Sequence, residues 1–274
     1  NMVERSTRHF QDPSVVCVAG SLRVRNTWAS VVTRMQAIEY FLSIHATKTG
    51  LSEFNLVNNI SGAFGIFRRT ILDLIAGWDA GTAEDLDLTL RVKSYFGREG
   101  RRMRIVFDPE AIGHTDVPVS MLGFLRQRLR WDGDLSFIYF KKHRKAFSPG
   151  ILGWPNFIYQ VLSGLMFQVM MPILLLAYTV YLFVAFPVWV ALALMVLVYL
   201  FYLALIVFIW GIAVLLLSER FWEDASLTVW LPLFPIFAFV TRLNNCLATF
   251  WEAIGQGHAD TSMAPWWVTR KSKF

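Results

Sequence analysis

Gln127-Arg128-Leu129-Arg130-Trp131 sits near the middle of a segment whose spacing predicts a helix from about Val119 to Phe140. Side chains three and four apart share a helix face, so Gln127, Arg130, Trp131 and Asp134 form one polar stripe. Met121, Leu122, Leu125 and Leu129 fall largely on the other side. A guanidinium fork, an amide and an indole on one face can hold a multiply charged phosphate group. The same face also suits a basic helix lying on a membrane, its arginines reaching to headgroups.

Toward the C-terminus, no charged residue occurs between Lys145 and Glu219. One membrane span needs only about 20 apolar residues. The stretch before Lys145 is mixed and charged like a water-soluble domain, so the 274-residue chain reads as a membrane protein with a soluble N-terminal part. Spans are expected over about 153–184 and 188–217, with Phe186-Pro187 as the turn between them. Lys141, Lys142, Arg144 and Lys145 precede the first span and place the soluble part in the cytoplasm, as in a multi-pass protein of the cell inner membrane. A third apolar stretch, about 227–250, holds Pro232 and Pro235 and carries Arg242, Asn244 and Asn245 in its middle. It is expected to be a broken re-entrant or interfacial segment, with residues 253–274 as a cytoplasmic tail. The alternative is a third true span with Arg242 facing the bundle.

Composition narrows the function. Cys17 and Cys246 are the only cysteines, which excludes a disulfide framework and a thiolate metal site. The net charge is +6, but the basic residues are dispersed or flank membrane segments, which argues against nucleic acid as a partner.

In the soluble part, Val15-Val16-Cys17-Val18-Ala19 reads as a buried strand ending at Gly20, and Trp28 to about His45 has helical spacing. Ser61-Gly62-Ala63 leads into a short strand at Ile66-Phe67, and glycine there permits close approach of a ligand to the backbone. Thr82-Ala83-Glu84-Asp85-Leu86-Asp87 opens a helix to about Tyr95 with the pattern of a helix start, a hydroxyl followed three positions later by a carboxylate. Capping explains these acids; a general base acting on an acceptor hydroxyl is the functional alternative. Arg102–Phe107 reads as another strand, with Asp108-Pro109-Glu110 turning the chain toward the two-faced helix. His114 reads as a solvated side chain rather than a metal ligand, because no converging partners accompany it. Alternating strands and helices make the soluble part α/β.

Read together, Ser61-Gly62-Ala63 with Phe67-Arg68-Arg69, Gly77-Trp78 ahead of Thr82-Ala83-Glu84-Asp85, Pro109-Glu110-Ala111, Pro118 and Gln127–Trp131 resemble the C-terminal half of processive, membrane-embedded family 2 glycosyltransferases. Cellulose, hyaluronan, chitin and poly-N-acetylglucosamine synthases belong to that group. The resemblance implies a partial GT-A-like domain over 1–118, an interfacial helix region over 119–150, and membrane helices over 151–252. It implies Asp85 as general base and Gln127, Arg130 and Trp131 on the donor diphosphate. Ser61, Gly62, Glu84 and Trp131 would border the acceptor. Trp267-Val268-Thr269-Arg270 resembles a Trp-Gly-Thr-Arg segment near the active site of hyaluronan and chitin synthases, making Trp267, Thr269 and Arg270 a possible gating tail.

The implied partners are a nucleotide-sugar (a UDP-sugar), a polysaccharide acceptor and the lipid bilayer. Such enzymes also carry an upstream Asp-x-Asp motif that holds Mg²⁺ or Mn²⁺, and no Asp-x-Asp precedes Asn26. The metal ligands are therefore expected on a missing N-terminal half or a partner subunit, and the chain alone is expected to be inactive. Two other outcomes stay open: a non-catalytic membrane subunit or remnant, and transfer of a single sugar to a lipid carrier.

Overall fold

The computed structural model describes residues 2–78 and 83–255. Its soluble part runs α1 (Met2–Arg8), β1 (Val15–Val24), α2 (Val31–Tyr40), a π-helical turn (Phe41–Ala46) and α3 (Thr47–Glu53). It continues through β2 (Gly65–Phe67), α4 (Arg69–Leu74), α5 (Glu84–Arg98), β3 (Arg104–Thr115) and α6 (Met121–Phe137), which a π-helical turn prolongs over Ile138–Lys142. The apolar part holds α7 (Pro149–Leu152), α8 (Trp154–Gln160), a π-helical stretch (Val161–Met170), α9 (Met171–Ala185), α10 (Val188–Leu217), α11 (Phe221–Ser226), a 3-10 segment (Leu227–Leu233) and α12 (Phe234–Gly255). A mixed α/β domain is thus followed by long apolar helices.

The described strands form one sheet in the order β2-β1-β3, with β1 antiparallel to β2 and parallel to β3. Every residue of β1 is buried, as a central strand covered on both faces requires. β1 does not stop at Gly20; it runs on to Val24. Gly20 instead admits the Phe64 ring, which a side chain at residue 20 would strike. Nor does Asp108-Pro109-Glu110 turn the chain. Asp108 pairs with Gly20 and Ile112 with Ser21, so residues 109–111 bulge out of a continuing β3, where a proline without an N–H is tolerated.

The helix expected to end near His45 continues to Glu53. Ser30 caps its start, accepting from the Thr33 amide at 3.1 Å. Its later polar residues look like a terminus in sequence but are satisfied in place: Thr47 Oγ1 donates to Leu42 O, and Thr49 Oγ1 donates to His45 O. Likewise α5 runs past Tyr95 to Arg98, while Thr82 lies outside the described residues. On α6 the fully buried apolar side chain is Phe124, whereas Met121 and Leu122 are exposed.

The helices over Trp154–Ala185 and Val188–Leu217 fall where the apolar block predicts, and Phe221–Glu252 makes a third that is long and apolar enough to cross a bilayer. This is the architecture of a multi-pass membrane protein. The third segment is not broken at its polar middle. Arg242 Nη1 donates to Phe167 O at 2.9 Å and to Gln168 Oε1 at 3.1 Å, and Asn244 Nδ2 donates to Leu125 O at 3.2 Å. These partners let α12 pass through intact. Its irregularity falls earlier, in the 3-10 segment that contains Pro232.

One buried ion cluster joins the two parts. Arg23, 1% exposed on β1, donates from Nε to Glu219 at 2.9 Å and from Nη2 to Asp224 at 3.0 Å, and its guanidinium lies 4.4 Å from the Phe41 ring centroid. His45 Nε2 lies 2.8 Å from Leu217 O at the end of α10. A second seam runs from Lys93 Nζ on α5 to Asn156 Oδ1 on α8, 2.6 Å away. Burial pushes the Lys93 ammonium down to about 7.

Replacing Arg23 with Ala strands Asp224 without its buried counter-charge. Thermal unfolding in detergent should register a loss of about 3–5 kcal/mol; a loss under about 1 kcal/mol would mean that the cluster does not secure the junction. The unfolded chain holds the Lys93 proton up to about 10.5 and the folded chain releases it near 7, so between those values the unfolded state binds more protons and stability rises with pH. Wild type should therefore gain on K93M as pH climbs from 7 to 10, which paired melts at several pH values can check.

Candidate active site

Asp85 opens α5, and its carboxylate is tied down from two sides. Oδ2 accepts the Gly62 amide at 3.1 Å, and Oδ1 accepts the Leu86 amide at 2.7 Å. The loop that supplies Gly62 is fixed independently. The Ile60 amide donates to Thr89 Oγ1 at 3.1 Å, and that hydroxyl donates to Asp85 O at 2.8 Å. A Cβ built on Gly62 would come 3.2 Å from Glu84 Oε1 and 3.6 Å from Asp85 Cβ, so the absence of a side chain is what lets loop and carboxylates meet this closely.

The structure thus brings Ser61, Gly62, Glu84 and Asp85 to one rim. Burial and the adjacent Asp85 charge raise the Glu84 carboxyl, while Arg130 pulls it back down. Arg130 therefore stands within electrostatic reach of this rim. It has no salt bridge to any described residue. Gln127 shares its helix and has an enclosed Oε1 without a hydrogen-bond partner among the described residues. Trp131 stacks 5.0 Å from the Arg128 guanidinium, and Arg128 is committed to Glu39 at 2.6 Å. The two arginines therefore differ: Arg128 is tied to Glu39, and Arg130 has no salt bridge among the described residues. Trp267, Thr269 and Arg270 lie outside the described residues.

Two residues that the sequence did not single out shape this site. Lys48 on α3 donates to Asn59 O at 2.9 Å, holding the loop from behind; burial pushes its ammonium down to about 8, and Asp85 resists that shift. Asp87, read as part of an acidic helix start, is a buried clamp. His143 Nε2 lies 2.6 Å from its Oδ1, Lys142 Nζ 3.0 Å from the same atom, and Arg91 Nε donates to Oδ2 at 2.9 Å. Burial alone would raise its carboxyl, but the bonds from His143 and Lys142 outweigh that and hold it below the usual carboxylate range. The clamp fixes the end of the α6 rod onto α5, and so fixes the distance between Arg130 and Asp85.

The other side of α6 is equally constrained. Asn244 bonds Leu125 O, and the Asn245 amide, turned to satisfy its neighbours, donates to Asp132. The helix is therefore packed along α12 rather than lying free on a bilayer. Among the described residues no group of three or more His, Cys, Asp or Glu side chains is placed to hold a metal ion. His114 is exposed on β3. A concavity of about 600 Å³ between α1 and β3, lined by His9, Asp108 and Glu110 among others, includes none of the expected site residues.

Compared with known proteins, residues 1–218 match the family described as Glycosyl transferase family group 2. The chain is similar to the poly-beta-1,6-N-acetyl-D-glucosamine synthase of Staphylococcus aureus (strain COL), 31% identical over 120 residues. It is similar also to that of Staphylococcus epidermidis (strain ATCC 35984), 29% identical over 122 residues. Each match takes in 44% of this chain and 28% of the relative, so the chain spans little more than a quarter of the length of the curated relatives it matches. With most of its length inside the family's matched range, the chain belongs to glycosyl transferase family group 2.

Proposed function

We propose that this chain is the acceptor-side and membrane portion of an inverting, processive hexosyltransferase that extends a polysaccharide from a UDP-sugar, with its soluble domain on the cytoplasmic side of the cell inner membrane. The observation that carries the reading is the Asp85 carboxylate, held on the Gly62 amide beside Glu84, with the Arg130 charge acting on Glu84 and making no salt bridge among the described residues. The acceptor hydroxyl oxygen attacks the anomeric carbon, the bond to the diphosphate breaks with its electron pair leaving on UDP, and Asp85 takes the hydroxyl proton. One displacement inverts the configuration. Gln127 and Arg130 donate to the departing diphosphate while Trp131 walls the site. In a water-poor cleft one such fixed donor is worth about 3 kcal/mol in the transition state.

Ser61, Gly62 and Glu84 border the acceptor. Mg²⁺ or Mn²⁺, with ligands outside this chain, would neutralise the donor diphosphate. Polymer export along the membrane helices is supported by a polar stripe in the first of them, Asn156, Gln160, Ser163 and Gln168. Gln160 is fully buried with both amide atoms unpartnered among the described residues, and Ser163 meets Asn58 near the acceptor loop at 3.5 Å. Such groups suit a ligand rich in hydroxyls. The basic residues before the first span support the orientation.

The relatives' names make UDP-N-acetylglucosamine the first donor to supply. In membranes bearing the protein expressed from its own gene, labelled donor should enter a long polymer, and D85N should lower turnover about 10²–10⁴-fold with the protein still present. A D85N protein as fast as wild type would rule out the base assignment. A product one sugar long would point to a lipid-carrier transferase, and no transfer from any UDP-sugar would point to a non-catalytic subunit. R130A should cost about 10²–10³-fold in kcat, and R130K should recover part of it; equal rates for all three proteins would remove Arg130 from the diphosphate.

A further inference from the structure

Arg34 on α2 is a cation that the proposed reaction does not use. Its guanidinium lies over two indoles, 5.3 Å from the Trp28 centroid and 4.3 Å from that of Trp230. Trp230 belongs to the 3-10 segment at the head of the third apolar stretch, where its neighbour Val229 is 75% exposed. Trp28 and Val31 are exposed as well, at 55% and 41%. The guanidinium therefore sits where the soluble domain meets a membrane helix, level with apolar side chains that face away from the protein.

Its donors are poorly matched within the chain. The Trp28 carbonyl, 3.4 Å from Nη2, is its one acceptor among the described residues, and Nε is enclosed without any. Neither the Trp28 nor the Trp230 indole N–H meets an acceptor among the described residues, in contrast to Trp210, which donates to Thr228. The carboxylates on neighbouring elements are committed elsewhere: Glu39 to Arg128, Glu219 and Asp224 to Arg23, Glu223 to Arg220. A forked cation and two indole donors are thus left, at the junction with an apolar helix, without a counter-anion among the described residues. Indoles favour headgroup depth, and guanidinium binds phosphate through paired hydrogen bonds. The guanidinium lies over one face of each indole, where its positive charge repels a quaternary ammonium.

We propose that Arg34, Trp28 and Trp230 bind the phosphate of an anionic phospholipid headgroup at the soluble-domain side of the bilayer. The site is separate from the transfer chemistry and stands whether or not that chemistry is correct.

The purified chain, delipidated in a neutral detergent, can be titrated with phosphatidylglycerol or phosphatidylcholine and its bound lipid counted by native mass spectrometry. Wild type should retain phosphatidylglycerol in preference. R34Q should weaken that binding about tenfold, the loss of one charge-assisted contact, while R69Q, at an arginine 94% exposed on α4, should leave it unchanged. If R34Q fails gel filtration, W28A at its exposed position decides, with the same loss expected. Wild-type retention in R34Q or W28A would overturn the proposal. So would equal binding of phosphatidylcholine, or displacement of the lipid by millimolar inorganic phosphate, which would make this a site for free anions.

Discussion

A guanidinium sealed from water on the central strand fixes how the soluble layer sits on the membrane helices. Arg23 is surrounded by Glu219 from the loop after the second long helix, Asp224 from α11 and the Phe41 ring from the rod beside β1. Parting these groups would leave charges in a medium that cannot solvate them, so sliding of the sheet over the bundle is opposed more strongly than apolar contact alone would oppose it. Lys93 with Asn156 and Asn58 with Ser163 set the same relation at a second place. Everything nearer the chemistry inherits its position from these two seams.

Within that frame, helix geometry gives neighbouring carboxylates different tasks. Asp85 and Asp87 are two residues apart, which on an α-helix is a rotation of about 200°. The first faces the acceptor loop and the second faces inward to His143, Lys142 and Arg91. The inward acid binds the helix carrying Arg130, and the outward acid meets the Gly62 amide. A similar division holds on α6, where Arg128 is taken up by Glu39 and Arg130 makes no salt bridge among the described residues.

Features set by local composition were legible in the sequence. The two long apolar helices follow from an uncharged run, and the short strand after Ser61-Gly62-Ala63 follows from its pattern. The rim of Ser61, Gly62, Glu84 and Asp85 was legible only through family resemblance. What escaped were contacts between residues far apart. Arg23 falls beyond the strand end expected at Gly20, and nothing near it in sequence marks its acids, which lie 196 and 201 residues away. Lys48 falls beyond the helix expected to end near His45, and Asp87 reads as part of an acidic helix start, since nothing local marks Asn59 or His143 as partners. Pro109 reads as a turn because the bulge that shelters it is a property of two strands, not one. The polar middle of α12 reads as a break because Phe167, Gln168 and Leu125 supply its hydrogen bonds from other elements.

The two thiols have a practical consequence. Cys17 lies at the centre of the sheet with no exposed surface, its ionisation pushed strongly upward by burial, and Cys246 is closed inside the helical bundle. A maleimide reacts with an exposed thiolate and has none to attack while the chain is folded. Single reporter cysteines placed on outward positions can therefore be read for sidedness or for pairwise distance against a silent native background, with no need to remove either natural cysteine and disturb the packing around it.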